Sequence, residues 1–145
     1  MKVPALEQQH GKRNPHLSRH HQADLFIDTF PYNAHTTASD ALWAGLPVLT
    51  LMGESFASRV AGSLLNAIGL PQLITQSQEE FEAMAIELAT NPQKLASIRG
   101  NLANNRLSAP LFDTPLFTKH LESAYLRMYE RYQMDLEPDH IYIEK

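Results

Sequence analysis

Residues 23–65 read ADLFIDTFPYNAHTTASDALWAGLPVLTLMGESFASRVAGSLL, and the order of apolar runs and breaks in this stretch decides the fold. Asp24 to Asp28 is an apolar run between two carboxylates and reads as a buried strand. A loop follows, and then a helix is expected from about Thr37 to Ala44, closed by Gly45 and Pro47. Pro47 to Leu51 is a second buried strand, with MGESF as its exit loop. Ala57 to Ile68 is a helix that stops at Gly69 and Pro71. Short apolar strands alternating with helices predict an α/β fold: a Rossmann-like parallel sheet flanked by helices.

Working outward, His16 to Gln22 reads as a short helix and Gln72 to Thr75 as a third strand. Beyond it the chain turns helical. Ser77 with Glu80 makes a capping box for a helix to about Ala89. Asn91-Pro92 opens another, to about Arg106. After a Pro-containing loop, Pro115 to Gln133 is a long amphipathic helix, with Leu116, Phe117, His120, Leu121, Ala124, Tyr125 and Met128 at helical spacing. Residues 1–15 read as a tail or truncated linker, 16–134 as the folded domain with its C-terminal helices, and 135–145 as a second tail. Three strands are few for an independent sheet of this type, which points to missing N-terminal sequence.

Composition narrows the function. The 145 residues carry a formal charge of −4 and no cysteine. No global basic field exists to hold nucleic acid or an anionic membrane. Disulfides, thiolate zinc sites and a cysteine nucleophile are excluded. The polar N-terminus lacks a signal-peptide core, and no apolar run approaches the ~20 residues of a membrane span. A soluble, cytoplasmic protein is expected.

In open α/β sheets, ligands bind beyond the carboxyl ends of the strands. The segment after Asp28 is the richest in polar chemistry and ends in a helix N-terminus, where free N–H groups and the helix dipole favour an anion. Thr36 and Thr37 add hydroxyl donors, and His35 adds a ring N–H, with a positive charge when protonated. Together they suit a diphosphate. Asp40, one turn on, suits a ribose diol. The plainer reading is a capping box, Thr37-Ala38-Ser39-Asp40, that needs no ligand. Ser55, Ser58 and Arg59 could line the same crevice, or serve as an N-cap and an ion-pair partner. One helical face would present His16, Arg19 and His20, suited to stacking on a base and donating to it. With no carboxylate at matching spacing, a metal at His16, His20 and His21 is not expected.

These clusters occur together and in order. Residues 23–65, and RGNLANNRLSAPLFDTPLFTKHLESAYLRMYERY at 99–132, closely resemble the C-terminal catalytic region of protein O-GlcNAc transferases, bacterial members especially, which are related to SPINDLY. The resemblance implies the C-terminal half of a two-domain GT-B glycosyltransferase. Such enzymes move N-acetylglucosamine from UDP-GlcNAc to Ser or Thr hydroxyls of acceptor proteins, inverting the anomeric centre with no essential metal or cofactor. It further implies that His35, Thr36 and Thr37 meet the donor diphosphate, that Asp40 bonds the ribose, and that His16 and Arg19 hold the uracil. Tyr32 falls where the family's loop approaches the donor sugar. His35 is the one candidate for stabilising the leaving group; no other catalytic residue is expected in this chain. Arg13 stands where the family has a Lys that contacts the nucleotide. The family's helical repeats and first Rossmann-like domain have no counterpart here. The chain is therefore expected to bind UDP or a UDP-sugar but to be inactive alone. Two alternatives stay open: a non-catalytic interaction module that keeps the fold, and a domain that uses another nucleotide-sugar.

Overall fold

The computed structural model describes residues 15–143. Lys12 and Arg13 lie outside this span. Three parallel strands, β1 (Phe26–Ile27), β2 (Val48–Leu51) and β3 (Ile74–Thr75), form a sheet in the order β1-β2-β3. Phe26 pairs with Val48 and Ile27 with Leu49; Thr50 pairs with Ile74 and Leu51 with Thr75. Every residue of β2 is buried, as befits a central strand covered on both faces. At the free edge, Ile27 of β1 is exposed.

Helices α1 (Pro15–Ser18), α2 (Thr36–Ala44), α3 (Val60–Ala67), α4 (Gln78–Thr90) and α5 (Pro92–Asn105) surround this sheet. Leu42 of α2, Leu65 of α3, Leu88 of α4 and Leu102 of α5 meet Val48 in one core. Each fully buried side chain of that size contributes roughly 1.5–3 kcal/mol over leaving it in water. Helix α6 (Thr114–Gln133) buries none of its residues. Residues 135–143 run back along it, with Arg127 donating to the Tyr142 carbonyl and Arg131 to that of Glu137. No helix is long and apolar enough to cross a membrane among the described residues.

The helix boundaries follow from capping chemistry. The Ser77 hydroxyl accepts from the Glu80 N–H at 3.2 Å, and the Glu80 carboxylate returns to the Gln76 N–H at 2.9 Å. Asn91 accepts from the Lys94 N–H, with Pro92 in the first turn behind it. Asp113 does the same for Leu116 at the head of α6.

Several elements are shorter than the pattern of residues predicts. The 24–28 strand keeps two ladder residues, Phe26 and Ile27, with the Asp28 N–H still bonded to the Leu49 carbonyl at 3.0 Å. Helix α3 begins at Val60 rather than Ala57. The Ser58 N–H and hydroxyl bond the Ser55 hydroxyl at 3.3 and 2.9 Å, and such local bonds compete with helix. Neither serine caps the helix, whose N-cap position is Arg59. Pro71–Leu73 forms a 3₁₀ turn ahead of β3, which removes two residues from that strand.

Two glycines are demanded by the backbone. Gly45 (φ 87°) ends α2 in the left-handed region, with its N–H on the Ala41 and Leu42 carbonyls. Gly69 (φ 75°) does so after α3, and a Cβ there would stand 2.9 Å from Asn105 Nδ2. That amide donates to the Ile68 carbonyl at 2.9 Å, tying α5 to the end of α3. Gly69→Ala is expected to cost about 1–2 kcal/mol from backbone strain, plus any loss of the Asn105 bond. A urea midpoint equal to that of the parent protein would contradict this account.

Candidate functional site

The site is built on a buried polar cluster at the carboxyl end of β1 and β2. The side chain of Asp28 accepts from the backbone N–H groups of Thr29 and Ala34, both at 2.8 Å, and from the Thr50 hydroxyl at 2.6 Å. The Asn33 amide donates to Thr50 Oγ1 and to the Leu51 carbonyl, each at 2.8 Å. Thr75 Oγ1 completes the cluster by donating to the Thr50 carbonyl at 3.0 Å. Asp28, Asn33, Thr50 and Thr75 are all buried. The loop between β1 and α2 is thus held at both ends by one carboxylate, and its exit at Ala34 sets the start of α2.

That start falls one residue earlier than the spacing predicts. His35 is the N-cap residue and makes no side-chain capping bond. Thr36, Thr37 and Ala38 are the first helical residues, so their N–H groups have no intrahelical acceptor. Thr37 is therefore inside the helix, and the ligand-free capping box is not formed. Asp40 is turned instead toward His16, whose Nε2 lies 3.1 Å from Asp40 Oδ2. Thr36 and Thr37 are exposed.

His35 sits between two aromatic side chains. Tyr32 stacks on it at 5.2 Å between centroids and 21° between planes. Phe56 meets it edge-on at 5.9 Å. Its Nε2 lies 3.3 Å from the Ala57 carbonyl, which links α2 to the turn after β2. Phe30, Tyr32 and Phe56 are all exposed, with Tyr32 at 70% and Phe56 at 80%. Exposed aromatic faces beside polar donors can be covered by a sugar face or another flat ligand. Arg59 reaches back to the Gly53 carbonyl at 3.4 Å and helps line a crevice of about 450 Å³ with Phe30 and Gln76.

The structure brings His16 to Asp40 and Tyr32 to His35, and it sets His35, Thr36 and Thr37 at one helix N-terminus. Arg19 is exposed on the 3₁₀ turn Arg19–Gln22 that continues α1. The His16 and His20 rings still lie side by side, with centroids 6.1 Å apart. His20 turns inward and is buried, with Nε2 unpartnered. A larger cavity, about 740 Å³, lies elsewhere, between β1 and helices α4 and α5. It is mostly apolar, and its Arg99 is engaged with Asp24 and the Ala23 carbonyl.

Sequence reasoning did not single out Asp28, Asn33, Thr50 or Thr75 as one unit, nor Phe56. One signal was available: Thr50 lies inside a strand buried on both faces, and a buried hydroxyl must find a partner.

Two outcomes follow from this geometry. Thr50→Val keeps strand shape but removes the hydroxyl from Asp28 and Asn33; a stability loss of about 1–3 kcal/mol is expected by urea titration. The second concerns His20, whose pKa lies below the ordinary 6.5 because burial disfavours its charged form and Arg19 and His16 add positive charge nearby, with Asp40 opposing. The unfolded chain then takes up a proton at higher pH than the folded one. Stability contributed by this group is complete above pH 6.5, falls as the pH drops toward the lowered value, and levels off beneath it. His20→Gln should remove that component from a plot of stability against pH, and an unchanged slope would count against it.

Comparison with known proteins agrees with this architecture. Residues 8–121 match the profile of glycosyl transferase family 41. A probable UDP-N-acetylglucosamine–peptide N-acetylglucosaminyltransferase SEC of Arabidopsis thaliana is 43% identical over 129 residues, 88% of this chain and 13% of that protein. The UDP-N-acetylglucosamine–peptide N-acetylglucosaminyltransferase of Caenorhabditis elegans is 37% identical over 129 residues, 89% of this chain and 11% of that protein. A mutant of the Thermobaculum terrenum O-GlcNAc transferase superposes with a TM-score of 0.76 at 38% identity, covering 81% of this chain and 23% of its own. The parallel sheet with its flanking helices is similar to the C-terminal GT-B region of such transferases, and the chain spans a small part of its relatives' length. By sequence and by fold, this chain belongs to glycosyl transferase family 41.

Proposed function

We propose that this chain is the donor-binding part of an inverting protein O-linked N-acetylglucosaminyltransferase, and that it binds UDP and UDP-GlcNAc. The observation that carries the reading is the junction of α1 and α2. The imidazole of His16, half exposed, stands 3.1 Å from the Asp40 carboxylate, one turn into a helix whose N-terminal amides and threonines are open to solvent. A base stacked on His16 would place its ribose diol by Asp40 and its diphosphate toward Thr36 and Thr37. Arg19 would donate to the base, and Tyr32 would lie by the sugar. A cytoplasmic setting belongs to the same reading.

In a complete transferase, the acceptor hydroxyl attacks the anomeric carbon as the C–O bond to UDP breaks. Negative charge grows on the leaving phosphate. N–H and O–H donors fixed at the start of α2 would stabilise it without reorganising. Holding the acceptor in line is the other half of the task. The present site offers donors to the nucleotide alone, so the chain by itself is proposed to bind without turnover, and to need no metal.

A second reading has one observation in its favour. Phe117, Leu121, Tyr125, Met128 and Tyr132 form an exposed apolar stripe along α6. An exposed stripe of this kind favours protein association, as in a non-catalytic interaction module.

Calorimetric titration of the folded chain with UDP tests the main reading. Binding in the millimolar range or tighter is expected, unchanged by EDTA and stronger than with GDP. Asp40→Ala should weaken UDP and uridine about tenfold, the loss of a charged hydrogen bond to a hydroxyl, and leave the weaker binding of uracil untouched. No heat and no displacement with millimolar UDP would leave the interaction-module reading in its place.

A further inference from the structure

The burial of His20 carries one step more, which rests on the donor-site reading above. The two residues read as holding the base, His16 and Arg19, stand on a single turn of α-helix and on the 3₁₀ turn that continues it. A segment that short does not hold its own shape in water, so contacts with the rest of the fold must fix it. The segment docks on α2. Within the described stretch 16–23, His20 is the one buried residue; Leu17 and Ser18 are half-buried and the others are exposed. The exit is tied separately, by Arg99 donating to the Ala23 carbonyl at 2.9 Å. His20 is thus the deepest side chain of the part that bears His16 and Arg19.

What His20 supplies there is the body of its ring. Its Nε2 is buried with no hydrogen-bond partner among the described residues, so that nitrogen does not hold the ring in place. The ring centroid lies 6.1 Å from that of His16, with 55° between the planes, so the buried imidazole stands beside the exposed one. Burial, with the positive charges of Arg19 and His16 nearby, keeps the His20 pKa below 6.5. At neutral pH the ring is therefore uncharged and packs as an aromatic body.

We propose that His20 is a positioning residue for base selectivity: it anchors on α2 the turn that carries His16 and Arg19, and so sets how strongly the site prefers uracil to a larger base. Side chains held before the ligand arrives need not be ordered when it binds, and each one so held strengthens binding several-fold. A base gripped by this turn gains from that. The ribose and diphosphate, which meet Asp40 and the start of α2, do not. A turn fixed in shape also cannot yield to a base of the wrong size, which is discrimination by exclusion.

UDP and GDP are the probes to use, because they share ribose and diphosphate and differ only in the base. Their affinities are to be measured by calorimetry on the parent chain and on variants, with circular dichroism and urea titration to check folding. His20→Ala removes the anchor. It should weaken UDP about tenfold, as two side chains lose their fixed positions, and GDP by less than about twofold, so the preference for UDP collapses. A purely structural role would lower both affinities together and leave their ratio untouched. His20→Phe keeps a ring and has no nitrogen to leave unpaired. It should restore the preference and unfold at a urea concentration no lower than the parent's. His20→Val makes the same test if His20→Ala does not fold. An unchanged ratio in the folded Ala or Val variant, or a ratio that His20→Phe fails to restore, overturns the proposal while the donor site stands. A parent chain that binds UDP without preferring it to GDP does the same. A parent that does not bind UDP overturns the donor-site reading and the proposal together.

Discussion

The site depends on a short hydrogen bond between a buried carboxylate and a buried hydroxyl, Asp28 to Thr50 at 2.6 Å. Removing a carboxylate from water is costly unless its lone pairs are satisfied. Here two backbone amides and one hydroxyl satisfy them, and all three come from segments that meet at the carboxyl end of the sheet. The carboxylate therefore acts as a staple. It fixes the loop after β1 against β2, and with Asn33 bound to the same threonine, little freedom remains in the path that leads into α2. The network gives position as well as stability, although one buried acceptor, Asn33 Oδ1, is left without a partner.

From that anchor the polar chemistry of the site points outward. The N-terminus of α2 is not closed by a side-chain cap, unlike those of α4, α5 and α6, which are capped by Ser77, Asn91 and Asp113. The side chain at the N-cap position is engaged elsewhere, His35 with the Ala57 carbonyl, and Asp40 pairs with His16. A glycine-rich phosphate cradle is absent. Hydroxyls and an imidazole stand at the start of α2 instead.

The packing is uneven along the chain. The sheet, α2, α3 and the inner faces of α4 and α5 share one core, whereas α6 buries nothing and touches the remainder mainly through the Pro110–Phe112 turn. Trp43 and Phe112 make that junction edge-to-face at 5.0 Å.

The sequence by itself determined the order and type of the elements from β1 to α6, because apolar periodicity, capping residues and left-handed glycines are local signals. Ser77, Asn91 and Gly45 each announce a boundary through bonds within a few residues. It also marked the chemistry beyond the first strand, since hydroxyls and imidazole before a helix are visible as residue types. What only the tertiary structure decided is which of those groups face one another. Capping with Thr37 and Asp40 and pairing of Asp40 with His16 are equally compatible with the spacing, and the second wins because α1 packs beside α2 and brings an imidazole across 24 residues. The inward turn of His20 and the meeting of Asp28 with Thr50 are likewise products of contacts distant in sequence, whose partners are set by the path of the folded backbone and not by any local pattern.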